Sequence, residues 1–131
     1  MVVGWAMSER MKTPLIKAAL EMALLRRNKP EGVIFHSDRG SQYCSHEYQK
    51  MMIDNKIVSS MSAKGCCYDN ACAESFFHTM KVELIHGEPL KSREETKASV
   101  FEYIEVDYNR NRRHTANGRI SPAAFEAKKV A

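Results

Sequence analysis

The stretch "VIFHSDRGSQY", Val33 to Tyr43, sets three consecutive apolar β-formers directly before His36, Ser37 and Asp38, with Gly40 just beyond. Val, Ile and Phe with no polar residue between them predict a central strand covered on both faces, as in parallel sheets packed under helices. Gly40 then punctuates the chain. In open α/β sheets ligands bind just outside the carboxyl ends of such strands, which makes Asp38 a candidate site residue. The plainer alternative is an aspartate that opens a loop by capping its own backbone.

The remaining pattern alternates in the same way. "VVGWAMS" reads as a strand, and Thr13 with Pro14 marks the start of a mostly buried helix, "LIKAALEMALLRR", with Lys17 and Glu21 on its polar face. "SHEYQKMMIDNK" is an amphipathic helix presenting Tyr48, Met51 and Met52, and "KIVSSMS" a further short strand. Asp69 or Asn70 can cap the helix "ACAESFFHTMKVELI". Ser92 and Glu95 form a capping box for a helix with the stripe Ala98, Phe101, Ile104 and Tyr108, and Ser121 with Pro122 opens a terminal helix. The predicted order is β-α-β-α-β-α-α-α in a single α/β domain over residues 1–131, with no repeat or internal linker.

A chain of 131 residues with 44% hydrophobic content has enough apolar material for an ordinary core. No apolar stretch approaches the about 20 residues a membrane span needs, so the expectation is a cytoplasmic protein with no membrane partner. Cys44, Cys66, Cys67 and Cys72 suit a reducing compartment, and a zinc site from Cys66, Cys67, Cys72 and His78 would match no standard spacing. The net charge of +4 is concentrated: Arg110, Arg112, Arg113 and Arg119 fall between Tyr108 and Phe125 with no acidic residue among them. Such a segment is either a polyanion contact or a solvated loop.

Glu74, His78 and Lys81 share one helical face by spacing, beside Phe76, Phe77, Met80 and Leu84. A solvated face explains the stripe unless Glu74 has a partner. Asp38 is the natural one, since a carboxylate at a strand end and another on a nearby helix can hold a hard divalent cation through oxygen.

"HSDRGSQY", "SMSAKGCCYDNACAESFFHTMKVEL" and "YNRNRRHTANGRISPAAFE", in this order, resemble the catalytic core of bacterial insertion-sequence transposases of the OrfB type, relatives of retroviral integrases. Thirty-five residues separate Asp38 from Glu74, the interval in that family's D,D(35)E signature. The resemblance implies a ribonuclease H-like fold and phosphoryl transfer on DNA with two Mg²⁺ (or Mn²⁺) ions. It makes Asp38 and Glu74 the second and third acids of a catalytic, metal-binding triad. Lys81, and less directly His78, would grip DNA beside the scissile phosphate. Asn109, Arg110, Arg112, Arg113 and His114 match the family's "YN-x-R-R-H" segment and would hold phosphates. The implied partners are insertion-sequence ends, target DNA, and a second copy or the full-length transposase. The implied location is the bacterial cytoplasm, on the nucleoid when bound.

The family's first aspartate lies in a "DITY"-like strand ahead of "VVGW" and has no counterpart here; neither Glu9 nor Asp69 is a convincing substitute. The expectation is therefore the C-terminal part of a catalytic core, N-terminally truncated and lacking the first two strands. Those strands would lie between "VVGWAMS" and "VIFHSD" in the sheet. Alone, the chain is expected to be inactive. The competing expectation is a non-catalytic DNA-binding or subunit-interaction fragment that modulates full-length transposase.

Overall fold

The computed structural model describes residues 1–63, 70–89 and 91–130. In chain order the elements are α1 (Thr13–Arg26), β1 (Ile34–Ser37), α2 (His46–Asp54), β2 (Val58–Met61), α3 (Ala71–Met80), α4 (Arg93–Phe101) and α5 (Pro122–Val130). Two segments of π winding, Lys81–Ile85 and Glu102–Asn111, extend α3 and α4, and a 3₁₀ turn covers Thr115–Asn117. The mixture is α/β, organised as two compact units: Val3–Ser75, and Met1–Val2 with Phe76–Ala131.

In the Val3–Ser75 unit, β1 and β2 pair in parallel with Ile34 opposite Val58 and Ser37 opposite Met61. Val58 N donates to Val33 O at one end and Ser62 N to Ser37 O at the other, so the ladder outlasts the strands on both sides. One surface of this pair is covered by Leu20 and Leu24 from α1 and Tyr48 and Met52 from α2, with Ile57. Phe35, Tyr43 and Tyr48 meet there with ring centroids 5.6–6.4 Å apart. Ser45 caps α2 by accepting from Tyr48 N at 3.2 Å.

β1 is not the doubly covered strand its composition predicts. Ile34 is 68% exposed and Val58 52%, because among the described residues the sheet consists of these two strands and nothing overlies that face. The "VVGWAMS" strand is not formed either. A strand exists only through a partner's hydrogen bonds, and those of Val2 go to a side chain: Val2 N donates to Asn109 Oδ1 at 2.9 Å, and Asn109 Nδ2 donates to Val2 O at 2.8 Å. Two residues on, Gly4 passes so close to α1 that a Cβ there would lie 2.2 Å from Ala19 O. At the start of α1 the capping position is Lys12 rather than Thr13, whose hydroxyl donates to Ser45 Oγ instead.

In the other unit the expected capping box is present, with Glu95 N donating to Ser92 Oγ and Ser92 N to Glu95 Oε2. The expected stripe is met in its second half, at Ile104 and Tyr108, but not at Ala98 and Phe101. Val100, Tyr103 and Ile104 are buried, whereas Phe101 is 51% exposed. The winding widens from Glu102 on, shown by Arg112 N donating to Asp107 O five residues back. The π segment after α3 closes in the same way, His86 N on Lys81 O. Ser121 Oγ accepts from Ala124 N at the start of α5, as expected.

Candidate metal and nucleic-acid site

Asp38 follows the last residue of β1 and is exposed. Its Oδ1 accepts from Gly40 N at 2.7 Å, so the plain capping role is real. Capping uses one oxygen; among the described residues Oδ2 makes no hydrogen bond, and the side chain is exposed. Gly40 leaves room for this posture. A Cβ at that position would stand 2.9 Å from the same Oδ1 and 3.2 Å from Gln42 Oε1. The loop is fixed further by Gln42 Nε2 donating to Met11 O and Gln49 Nε2 to Tyr43 O. Burial, and after it the negative charge of Asp38, raises the Tyr43 phenol above its ordinary value.

Glu74 lies in the first turn of α3 and is exposed. It belongs to the same compact unit as Asp38. Hydrogen bonds connect their two elements through Ser62, just past β2. Ser62 N donates to Ser37 O at 2.9 Å, Ser62 O accepts from Arg39 Nε at 2.9 Å, and Ser62 Oγ accepts from Asn70 Nδ2 at 3.2 Å, one residue before α3. His36 bridges the same strand ends, Nδ1 on Ser60 Oγ and Nε2 on Ser62 Oγ, both at 3.0 Å. Sequence reasoning passed over Ser62 because an isolated serine carries no signal. Parallel pairing was the available clue, since two parallel strands finish on the same edge.

Among the described residues no group of three or more His, Cys, Asp and Glu is gathered closely enough to hold a metal ion. Two carboxylates are nevertheless a chemical fit for Mg²⁺, which retains several waters and takes one or two protein carboxylates together with substrate phosphates. Cys66, Cys67 and Asp69 lie outside the described residues, and Cys44 and Cys72 are free thiols.

The residues expected to meet phosphate divide into two groups. Lys81, His78, Arg110 and Arg113 are exposed. Arg110 and Arg113 make no ion pair among the described residues. Arg112 and Asn109 are engaged internally. Arg112 forms a two-pronged pair with Glu83, Nη1 to Oε1 at 3.1 Å and Nη2 to Oε2, while Nε donates to Asp107 Oδ2 at 3.2 Å. The guanidinium lies 5.3 Å from the Tyr103 ring centroid, and the Tyr103 hydroxyl donates to Glu83. These bonds hold the Glu83 carboxyl below its ordinary range and Arg112 above its own. Asn109, 4% exposed, has both ends of its amide on Val2. His114 stacks edge-on against Tyr108 at 4.9 Å, and Tyr108 in turn against Phe76 at 4.8 Å. Its Nε2 is buried without a hydrogen-bond partner among the described residues.

Two family models, both described as integrase core domain, match residues 1–67 and 74–130. Over 130 residues the chain is 58% identical to the transposase InsF for insertion sequence IS3A of Escherichia coli (strain K12), covering 99% of this chain and 45% of that protein. It is 48% identical over 127 residues to the insertion element IS600 uncharacterized 31 kDa protein of Shigella sonnei, covering 97% of this chain and 47% of that one. The chain thus spans about half the length of the curated relatives it matches. No solved structure matches it. No helix among the described residues is long and apolar enough to cross a membrane. Matched along nearly its whole length by models of one description, the chain belongs to the integrase core domain family, with insertion-sequence transposases as its relatives.

Proposed function

We propose that these residues form the C-terminal part of a ribonuclease H-like transposase core whose full protein joins insertion-sequence ends to target DNA. The observation that carries this reading is the placement of Asp38 at the carboxyl end of β1 and Glu74 in the first turn of α3, within one compact unit. Bound Mg²⁺ or Mn²⁺ would polarise the scissile phosphate and activate an attacking hydroxyl. Asp38 would hold the ion through its carboxylate, which Gly40 N–H steadies at Oδ1. Glu74 supplies a second carboxylate from a rigid helix. Lys81, His78, Arg110 and Arg113 hold the DNA backbone, and Asn109, Arg112 and His114 shape the segment from within.

The family's first acid is not among these 131 residues. Two divalent cations held side by side repel, and a third carboxylate would offset that repulsion. Asp38 and Glu74 therefore suffice for one ion but not for strand transfer by these residues alone. In a transposase that contains this sequence, Asp38→Asn or Glu74→Gln should abolish strand transfer while binding to insertion-sequence ends survives. Full joining activity in either variant would refute the assignment. A second reading, a non-catalytic fragment that pairs with full-length transposase, is favoured by the open face carrying Ile34 and Val58. In the same assay the added 131-residue chain would then lower the activity of the full-length protein, and no inhibition would count against it.

A further inference from the structure

We infer that Ser62 is a positioning residue, which sets Glu74 relative to Asp38 by tying the end of β1 to the start of α3. The inference rests on the metal-site reading of those two carboxylates. Ser62 is 4% exposed, although it follows the last residue of a strand and could have faced water. Its three polar groups reach both sides of the site. The N–H fixes Ser37 O, the residue before Asp38; the C=O holds Arg39, the residue after it. The hydroxyl accepts from Asn70, four residues before Glu74.

The hydroxyl is fully used. Its oxygen has three neighbours: Ser37 O at 3.3 Å, Asn70 Nδ2 at 3.2 Å and His36 Nε2 at 3.0 Å. A serine hydroxyl offers one proton and two lone pairs. With the proton on Ser37 O, the lone pairs accept from Asn70 and from His36 Nε2–H, and His36 Nδ1 then accepts from Ser60. In the other His36 tautomer the Ser62 proton goes to Nε2 while Ser37 O keeps its bond from Ser62 N–H, so in either arrangement the hydroxyl joins His36 to Asn70. Removing the hydroxyl leaves the Asn70 amide and His36 Nε2 without that partner at once. The backbone ladder of β1 and β2 does not depend on it. The loss therefore falls on the register between Asp38 and Glu74 and not on the sheet.

Mn²⁺ binding to the 131-residue chain, followed by electron paramagnetic resonance, tests this without any need for catalysis. Ser62→Ala and Asn70→Ala should each weaken Mn²⁺ about tenfold, as losing an outer-sphere partner does. The double variant should be no weaker than either single one, and Ser62→Thr, which keeps the hydroxyl, should stay close to the parent. Without metal, the Asn70 side-chain amide signals in nuclear magnetic resonance should shift in Ser62→Ala while the backbone signals of β1 and β2 stay in place. If Asp38→Asn weakens Mn²⁺ but both alanine variants bind as the parent does, the positioning role is wrong and the metal site stands. If Asp38→Asn binds Mn²⁺ unchanged, the metal site itself is wrong, and the role of Ser62 falls with it. Asn70→Ala, at a half-buried position outside the strands, carries the test should Ser62→Ala fail to fold.

Discussion

Replacing Arg110, Arg112 and Arg113 one at a time by Ala should separate a DNA contact from a scaffold bond. By sequence the three are equivalent, but their surroundings differ. Arg112 lies between Glu83 and Asp107, a cluster whose formal charge is negative, and its N–H groups already point at carboxylates. Arg110 and Arg113 are exposed. A cation that neutralises a phosphate releases counterion, which gives a slope of about −0.9 in log K against log salt for each contact. Over a fourfold rise in salt, each lost contact makes binding about 3.5-fold less salt-sensitive, and Arg110→Ala with Arg113→Ala together about 12-fold. Arg112→Ala should leave the slope unchanged and lower the melting temperature instead. Fluorescence anisotropy with a duplex of unrelated sequence, at four or five salt concentrations, measures the slopes, since phosphate contacts are blind to base sequence. A slope flattened as much by Arg112→Ala as by Arg113→Ala would show that the ion pairs open to receive DNA, and the division would be wrong.

The Glu83 pair also makes stability depend on pH. Because Arg112 lowers the folded-state pKa of Glu83 below its ordinary 4.5, the unfolded chain takes up the proton first as pH falls. The contribution is present above that value and disappears as pH drops through the folded value. Thermal melts of the parent and Glu83→Gln should therefore differ most near neutrality and converge in acid; a gap independent of pH would contradict the pairing. Gly4→Ala should destabilise by about 1–3 kcal/mol, the usual cost of overpacking. The new Cβ would meet Ala19 O and, at 2.7 Å, Ala23 N, which are backbone atoms that cannot rotate aside. An unchanged urea midpoint would show that the "VVGW" segment does not pack on α1 in this way.

Signals written into neighbouring residues were the legible ones. Ser92 with Glu95, and Ser121 before Pro122, name their own partners within three residues, and both caps are formed. Asp38 and Glu74 stood out by chemical type at a strand end and a helix start. What remained hidden depends on distant partners. The run Val33–Phe35 states what the strand would bury, but not that only one neighbouring strand is present among the described residues. The exposure of Phe101 was not legible, since apolar spacing along a helix marks a face available for burial but not which of its residues a neighbour will cover. The sign of Arg112 was readable, but Glu83 lies twenty-nine residues away and gives no local hint of the pairing.

The amide of Asn109 has a consequence for the order in which the chain is made. It takes the place of a neighbouring strand for Val2, yet the two residues are 107 positions apart. At about 5–20 residues per second, a ribosome needs roughly 5–20 s to make that interval. All of Val3–Ser75 is synthesised before Asn109 exists, so the Val3–Ser75 unit can assemble first and the Val2 bond closes late. Throughout that interval the backbone N–H and C=O of Val2 lack their eventual partner and can pair with any other extended strand that reaches them. Cells making many copies at once would give such pairings the most opportunity, and the side chain that ends the vulnerability emerges 107 residues later.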